Sequence, residues 1–457
     1  MLRIALALAL LAPAACANRA KQSVSLYESG DYAGAMRAAD EGLASHPDDD
    51  GLWAMKVRAA LALGDAAGVA KAYQGYAEHR PDLDKELLLD LATATIGQAL
   101  ASPSVKLKIA AIEAVAALEL HDLTDSVAER IGDEDDRVAA AAAVAVLKGI
   151  PGAAQVADDM TRSENAEARR IAIDGIGKKI GKLAAADLEK AANDKDARVR
   201  RVAVRWLGMI KDKDAVEVLT KRMRDPDEGV RAAAAGALAR IGIGNLGGLG
   251  KQALGDRALS VRLAGVELLA AAKSDADLVA LVDDKDPVVA LQAAIAVKRT
   301  HPELARKAVD RALAAEEWTA RAGAANMLTS ALGKTDARAT AQRMLADAQV
   351  GVRLAAARVL VHTGDKEAAR PIFAAAVTDA DFGVQAAADL ADLGDPAGVS
   401  ALSAFTLDAS RTPEQRAAAA SAHRSAHKVT PGLVAALADT SGVVRVEAAA
   451  VLGALAR

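Results

Sequence analysis

Histidines, the cysteine and a glycine-rich segment are the first places to look for chemistry in this chain of 457 residues. The seven histidines are scattered, and none of them precedes a glutamate. His423 and His427 lie four residues apart in a segment predicted to be helical, so both side chains can face one metal ion. Zinc sites of this spacing carry a glutamate after the first histidine, where this chain has Arg424. We therefore predict no metal ion and no cofactor, and keep this histidine pair as the first suspect for an alternative, metal-dependent function.

The glycine-rich stretch 242–251 has some of the spacing of a phosphate-binding loop. A dinucleotide-binding fingerprint follows a strand, whereas this stretch follows an alanine-rich segment with helical periodicity. The P-loop pattern also requires a glycine where Asn245 stands, and a serine or threonine where Gln252 stands. We therefore predict a flexible turn between repeats rather than a nucleotide site.

The composition favours helices and argues against nucleic acid as a partner. About a quarter of the residues are alanine, which favours helices and is depleted in strands. Only 2% are aromatic, so the helices must pack closely through small side chains. Lys and Arg number 57 against 61 Asp and Glu, giving a net charge of −4 and no general attraction to phosphate backbones. We predict an all-α fold that does not bind nucleic acid.

The first residues predict export and a lipid anchor. An uncharged run over residues 4–17 is too short to span a bilayer and is typical of a secretory signal. Cys16, the only cysteine, stands at the end of this run. The sequence from Leu11 to Cys16 resembles the lipobox of bacterial lipoproteins, in which the cysteine is acylated and becomes the mature N-terminus. Pro13 stands where that family usually has an aliphatic residue, so ordinary secretory cleavage within residues 12–14 is the alternative.

This resemblance also implies a location. Residues 1–15 are then a signal peptide of the lipoprotein type, and Cys16 is the lipidation site. In Gram-negative lipoproteins an aspartate after the cysteine generally retains the protein in the inner membrane, whereas this chain has Ala17. The resemblance therefore implies an outer-membrane protein that faces the periplasm.

Two helix pairs are predicted after this signal. A Gly-Asp turn and a proline recur at a spacing of about 34 residues, as Gly30-Asp31 with Pro47 and Gly64-Asp65 with Pro81. Each Gly-Asp pair reverses the chain between two helices, and each proline ends the second helix. Residues 16–82 therefore resemble two tetratricopeptide repeats, and residues 83–100 are predicted to form a bridging helix.

A second repeat fills the rest of the chain. Its unit is a turn that contains aspartate, followed by Val-Arg at the start of an alanine-rich helix, and it recurs about every 31 residues. We take the valine position of each unit as its marker position. The twelve marker positions are Val105, Val138, Ala168, Val199, Val230, Val261, Val289, Ala320, Val352, Val384, Gln415 and Val444. Residues 101–457 resemble HEAT-like repeats of the phycobilisome-lyase type. The resemblance implies an α-α superhelix, a helical-repeat solenoid with a short tetratricopeptide array before a long HEAT-like array.

Charged residues recur around these marker positions. An aspartate stands five residues before most of them, and an arginine follows most of them directly. Stacked repeats should align these residues into a ladder in which each side chain bonds turn carbonyls and its neighbours. The predicted ladder comprises Asp194, Arg200, Asp225, Arg231, Asp256, Arg262, Asp347, Arg353, Asp439 and Arg445. Because the aspartates neutralise the arginines, we predict a structural ladder rather than a basic binding strip, with Trp206 packed beside it.

The sequence assembles no reactive site, so we predict a protein that is not an enzyme. It is expected to be a lipid-anchored scaffold or adaptor of the bacterial cell envelope that binds a protein or peptide through its helical-repeat surface. No small-molecule substrate is predicted. Because aromatic residues are scarce, the partner should be held through shape and charge over a wide area. The alternative is an enzyme or metal-dependent subunit of the HEAT-like lyase or hydroxylase kind.

Overall fold

The structure, a computed structural model, describes residues 19–80 and 82–457. The predicted signal peptide, the predicted lipidation site Cys16 and the predicted helix-ending Pro81 lie outside the described residues. The part of the chain that is described contains α-helices, short 3₁₀ segments and turns, and no β-strand. The fold class is therefore all-α, as the composition and the repeats predict.

The helices follow one another with short connections. The first fourteen are α1 (19–28), α2 (Tyr32–Ser45), α3 (Asp50–Ala62), α4 (Ala66–His79), α5 (Lys85–Leu100), α6 (Val105–Ala117), α7 (Thr124–Ala128), α8 (Asp136–Ala145), α9 (Ala153–Met160), α10 (Ala166–Ile180), α11 (Ala185–Ala191), α12 (Ala197–Met209), α13 (Val216–Arg222) and α14 (Glu228–Ile241). The remaining fourteen are α15 (Leu246–Leu254), α16 (Leu259–Ala271), α17 (Asp275–Leu281), α18 (Pro287–Ala296), α19 (Pro302–Leu313), α20 (Trp318–Ala331), α21 (Lys334–Met344), α22 (Val350–Thr363), α23 (Lys366–Ala376), α24 (Gly383–Asp392), α25 (Pro396–Leu407), α26 (Pro413–Ala426), α27 (Pro431–Ala435) and α28 (Gly442–Leu455). Single 3₁₀ segments lie at His121–Leu123, Glu129–Gly132, Gly181–Ala184 and Ala436–Ala438.

The chain divides into two compact units. Unit 1 joins the residues up to Leu123 with Val377–Arg457, and unit 2 is Thr124–Ala376. Unit 1 therefore contains α1 to α6 and α24 to α28, whereas unit 2 contains α7 to α23. This division runs across the predicted boundary between the two repeat arrays, because helices from both ends of the chain share one unit.

The helix pairs near the start of unit 1 have equivalent turns. Gly30 and Gly64 have φ values of +84° and +69°, a backbone conformation that glycine adopts without strain. The aspartate after each glycine then caps the next helix: Asp31 accepts the N–H of Gly34, and Asp65 accepts that of Gly68. The recurring Gly-Asp pairs thus form the turns between paired helices.

Packing in unit 1 joins its two segments. Helix α28 packs on α5 and α6, and α27 packs on α4. Glycines on α28 allow the close approach: a Cβ added to Gly442 would lie 2.4 Å from a methyl carbon of Leu107, and one added to Gly453 would lie 2.5 Å from one of Leu118. Lys85 also donates to the carbonyl oxygen of Arg457 at 3.2 Å.

In unit 2, even-numbered helices that carry a marker position alternate with odd-numbered helices that carry none. Each marker position lies in the first turn of an even-numbered helix, and neighbouring even-numbered helices pack side by side. Small side chains set the spacing, since a Cβ added to Gly208 on α12 would lie 2.6 Å from the Cα of Ala237 on α14. Val199, Ala203 and Leu207 form a buried apolar stripe along α12. The abundance of alanine therefore follows from this close helix packing.

The glycine-rich stretch differs from the flexible turn that we predict for it. Only residues 242–245 form a turn, and α15 begins at Leu246. Asn245 caps this helix by accepting the N–H of Gly248, and Gly250 lets α15 approach α16 closely. Cap and packing together outweigh the low helix propensity of glycine.

Candidate functional site

Three of the five predicted ladder arginines, Arg200, Arg231 and Arg262, form ion pairs with an aspartate near the start of the next repeat. In one rung, Arg200 Nε and Nη2 donate to the two carboxylate oxygens of Asp225 at 2.8 and 2.7 Å. Its Nη1 donates to the carbonyl oxygens of Asp194 and Lys195 in the preceding turn. Asp225 also accepts the backbone N–H of Asp227. One arginine therefore ties two consecutive inter-helix turns together.

The same geometry recurs along the chain. In five pairs the arginine donates from Nε and Nη2 to the two carboxylate oxygens of the aspartate. These pairs are Arg169–Asp194, Arg200–Asp225, Arg231–Asp256, Arg321–Asp347 and Arg416–Asp439. Arg262 differs, because its Nη2 donates to Asp286 at 2.7 Å, whereas the sequence pattern places Asp284 in this position. Asp284 instead accepts the backbone N–H of Asp286 and holds the turn.

Within the described residues, the other two predicted ladder arginines bond only carbonyl oxygens. Arg353 Nη1 donates to the carbonyls of Asp347 and Ala348 at 2.8 and 2.9 Å. Arg445 Nη1 donates to those of Asp439 and Thr440 at 2.7 and 3.3 Å. The five predicted ladder aspartates lie in turns and the five arginines lie in the first turns of helices, but these two arginines have fewer contacts.

The rungs affect the titration of their carboxylates. The hydrogen bonds from Arg231 lower the pKa of Asp256, and those from Arg321 lower the pKa of Asp347. In both cases the favourable interaction outweighs the effect of partial burial, which alone would raise the pKa. These carboxylates therefore stay ionised at neutral pH and neutralise the arginines, so the ladder offers little free positive charge to a partner.

A second set of arginines lies on a different face of α12. Arg198, Arg201 and Arg205 are spaced three and four residues apart and are all exposed. With Arg170 of α10 they line a cleft of about 470 Å³, whose other wall includes Ala233 of α14. We call this surface the arginine cleft.

The wall formed by α14 is nearly free of side chains. Gly229 and Ala233 face the arginines, and a Cβ added to Gly229 would lie 2.9 Å from Arg201 Nη1. The guanidinium of Arg201 therefore lies against bare backbone. Small residues at this wall leave room for a segment of another molecule beside the arginine side chains.

Acidic neighbours orient three of the four arginines. Arg198 donates to both carboxylate oxygens of Asp196, and Arg205 Nη2 donates to Asp174 at 3.1 Å. Arg170 donates to Glu167 at 2.7 Å. Arg201 has no carboxylate partner among residues 19–80 and 82–457. The cleft therefore combines oriented guanidinium groups with one that is free to bind an acid.

Trp206 is packed within this region. Its Nε1 donates to Asp174 Oδ1 at 2.7 Å, and its ring lies against Gly177 of α10, where an added Cβ would be 2.6 Å away. The indole is half-buried and fixed at both its edge and its face. Trp206 thus sets the position of Asp174, which in turn holds Arg205.

The two suspect histidines have different surroundings. His423 is fully buried, with Nδ1 close to the carbonyl oxygen of Ala419 and Nε2 close to the hydroxyl of Thr430. Burial lowers its pKa. His427 ends α26 in a left-handed conformation and is exposed. Nothing in the described part of the chain groups three histidine, cysteine or acidic side chains in an arrangement that could hold a metal ion.

The arginine cleft is the feature that the sequence analysis missed. The spacing of Arg198, Arg201 and Arg205 was a usable signal, because it places all three on one helical face away from Arg200. Assigning α14 as the opposite wall required the packing of adjacent repeats. We also find that none of the described helices is both long and apolar enough to span a bilayer.

A family model matches part of the chain. Residues 153–239, which include all the residues that line the arginine cleft, match the family model of HEAT repeats. No curated protein matches the chain.

Solved structures show distant similarity. The complex of CpcE and CpcF of phycocyanin lyase from Nostoc sp. PCC7120 is similar at 21% identity, over 52% of this chain and 94% of that chain, with a TM-score of 0.33. Kap121p is similar at 13% identity, over 82% of this chain and 49% of that chain, with a TM-score of 0.34. An engineered protein is similar at 18% identity, over 74% of this chain and 99% of that chain, with a TM-score of 0.29. The described chain is an all-α helical-repeat protein, and its residues 153–239 match the family model of HEAT repeats.

Proposed function

We propose that this protein is a non-catalytic scaffold that binds an acidic segment of a protein partner in the arginine cleft. The observation that carries the proposal is the row of exposed arginines on α12 facing a wall of glycine and alanine on α14. Guanidinium groups bind carboxylates through two parallel hydrogen bonds, and arginine is enriched at the energetic centres of protein interfaces. The bare wall admits the backbone of the bound segment.

The chemistry of the cleft favours an acidic partner. Arg201 has no carboxylate partner within the described residues, and Arg198 and Arg205 expose about half of their side-chain surface, 55% and 53%. Each retains N–H donors that its present acidic partner does not use. A segment rich in aspartate or glutamate can bind these donors without displacing the existing pairs.

A labelled peptide pool tests this proposal. Fluorescein-labelled hexapeptides with Asp or Glu at alternate positions should bind the full chain, and fluorescence anisotropy measures the dissociation constant. Arg201→Glu combined with Arg205→Glu should weaken binding by at least about tenfold, because like charges then face the ligand. The matched control is Arg343→Glu, an exposed arginine on α21 in the same unit.

A second variant separates shape from charge. Ala233→Leu keeps all four arginines but fills part of the cleft, and leucine has a high helix propensity at this half-buried position of α14. It should weaken binding of the acidic pool without changing the stability of the chain. Equal affinity in wild type, Ala233→Leu and the double charge reversal would show that the peptides bind elsewhere.

We also propose that the scaffold is anchored by lipid at Cys16 to the outer membrane and faces the periplasm. The support is the sequence from Leu11 to Cys16 together with Ala17. Cys16→Ala should move the protein from the membrane fraction to the soluble periplasmic fraction and abolish incorporation of labelled palmitate. Membrane association and labelling that are unchanged in Cys16→Ala would refute lipidation.

A further inference from the structure

Unit 1 contains another cleft, which shares no residue with the arginine cleft of unit 2. Its volume is about 560 Å³, and helices from both segments of the unit line it. Tyr27 and Tyr32 stand at one side, Gln98 of α5 at another, and Asp439 and Arg445 belong to the last repeat. We call this surface the tyrosine cleft.

Arg445 occupies the ladder position of the last repeat with half of the usual contacts. The preceding arginine, Arg416, donates from Nε and Nη2 to Asp439 at 2.9 Å each and from Nη1 to the carbonyl of Arg411. Arg445 keeps the carbonyl contacts of its Nη1. The edge of the guanidinium that binds a carboxylate in Arg416 has no acidic partner in Arg445, within the described portion of the chain.

The packing of unit 1 explains this open edge. In the regular array, the next repeat places an aspartate beside the arginine, as Asp439 is placed beside Arg416. Helix α28 instead packs on α5 and α6. The turn between those two helices, residues 101–104, reads Ala-Ser-Pro-Ser and carries no carboxylate.

The remaining charges of the tyrosine cleft are already paired. Arg58 Nε donates to Asp90 at 2.9 Å, and Asp439 is held by Arg416 and by the backbone N–H of Ser441. Arg445 is therefore the one charged residue lining this cleft, within the described residues, that has no partner of opposite charge. An anion that enters the cleft finds one uncompensated cation.

Uncharged polar groups surround this cation. The rings of Tyr27 and Tyr32 lie 5.2 Å apart, and Thr95 and Gln98 line the same cleft. Burial and the neighbouring Tyr32 raise the pKa of Tyr27, so its hydroxyl stays protonated and can donate. One cation among hydroxyl and amide groups suits a single carboxylate with a polar body, rather than a polyanion.

We propose that the tyrosine cleft binds a carboxylate, held by Arg445 in the two-bond geometry that Arg200, Arg231 and Arg416 use for aspartate. The ligand supplies the missing acid of the last rung. The free carboxyl end of a peptide and a small organic acid share this chemistry, and the experiment distinguishes them.

Isothermal titration with three probes tests the assignment in the full chain. The probes are succinate, a pool of acetylated tetrapeptides that lack Asp and Glu but have a free carboxyl end, and the same pool with amidated ends. Binding of the free-acid pool but not the amidated pool identifies a peptide end, whereas binding of succinate alone identifies a small acid. In either case the affinity for the probe that binds should fall at least about tenfold in Arg445→Gln, the loss expected for a charged bidentate contact.

Because Arg445 also bonds a turn, a second variant leaves it in place. Gln98→Glu is isosteric, lies at an exposed position and adds a negative charge to the cleft lining, so it should weaken binding of the same probe. The matched control is Arg424→Gln on α26, an exposed arginine that pairs with Glu447. Failure of all three probes to bind, or binding that is unchanged in both Arg445→Gln and Gln98→Glu, would overturn the proposal. The result is independent of the arginine cleft, whose variants lie in unit 2.

Discussion

Two neighbouring residues of α12 show how one side-chain type serves two purposes. Arg200 is 8% exposed and donates hydrogen bonds to Asp225 and to carbonyl oxygens of a turn. Arg201, the next residue, is exposed and has no carboxylate partner in the described chain. A rotation of about 100° about the helix axis separates a rung of the ladder from an arginine that we propose binds a partner. Burial and pairing, rather than residue type, decide which arginines are available to a partner.

Removing the ladder arginine should have the largest effect. Arg200→Met leaves the buried carboxylate of Asp225 with only Arg222 as a cationic partner, and we expect a loss of about 3 kcal/mol in the free energy of unfolding. Arg201→Met should change it by less than about 0.5 kcal/mol, since nothing buried depends on Arg201. Urea unfolding followed by circular dichroism measures both. Similar losses in the two variants would remove the distinction between the faces.

A change in the spacing between α12 and α14 should have the next largest effect. Gly208→Ala should destabilise the chain by about 1–3 kcal/mol, because the added Cβ would lie 2.6 Å from the backbone of Ala237 and push α12 from α14. Gly149→Ala is the control, since nothing lies within 4 Å of a Cβ added there. Thermal unfolding compares the two, and a Gly208→Ala protein as stable as the control would show that close packing does not set this spacing.

The smallest effect concerns the pair that orients Arg198 in the arginine cleft. The hydrogen bonds from Arg198 lower the pKa of Asp196 from 3.8 to about 2. A lowered pKa contributes stability that is present above pH 3.8 and lost as the pH falls towards 2. Asp196→Asn keeps the helix cap but not the charge, so its stability deficit should shrink over this window.

Urea midpoints of wild type and Asp196→Asn between pH 2 and pH 6 measure this change. A deficit that is constant with pH would mean that the charge of Asp196 does not stabilise the fold.

The local structure of the chain can be predicted from the sequence much better than its long-range packing. Recurring Gly-Asp and Val-Arg patterns mark turns and helix starts because the backbone conformation and caps at those positions depend on nearby residues. The packing of α28 on α5 and α6 joins segments more than 300 residues apart, and no local pattern encodes it.

The candidate sites show the same limit. The ladder follows from the repeat, but the choice of Asp286 over Asp284 depends on the detailed shape of one turn. The arginine cleft needs the wall of α14, and the tyrosine cleft needs both segments of unit 1. A binding surface made of side chains from several repeats becomes visible only when the repeats are stacked.

The central claim is that the two faces of α12 divide stability from binding. One paired measurement tests it most directly: the affinity for the acidic hexapeptide pool and the urea midpoint, determined for Arg200→Met and for Arg201→Glu/Arg205→Glu. We expect the first protein to lose stability while the folded fraction keeps its affinity, and the second to keep its stability while its affinity falls at least about tenfold. Wild-type affinity in the double charge reversal would contradict the account.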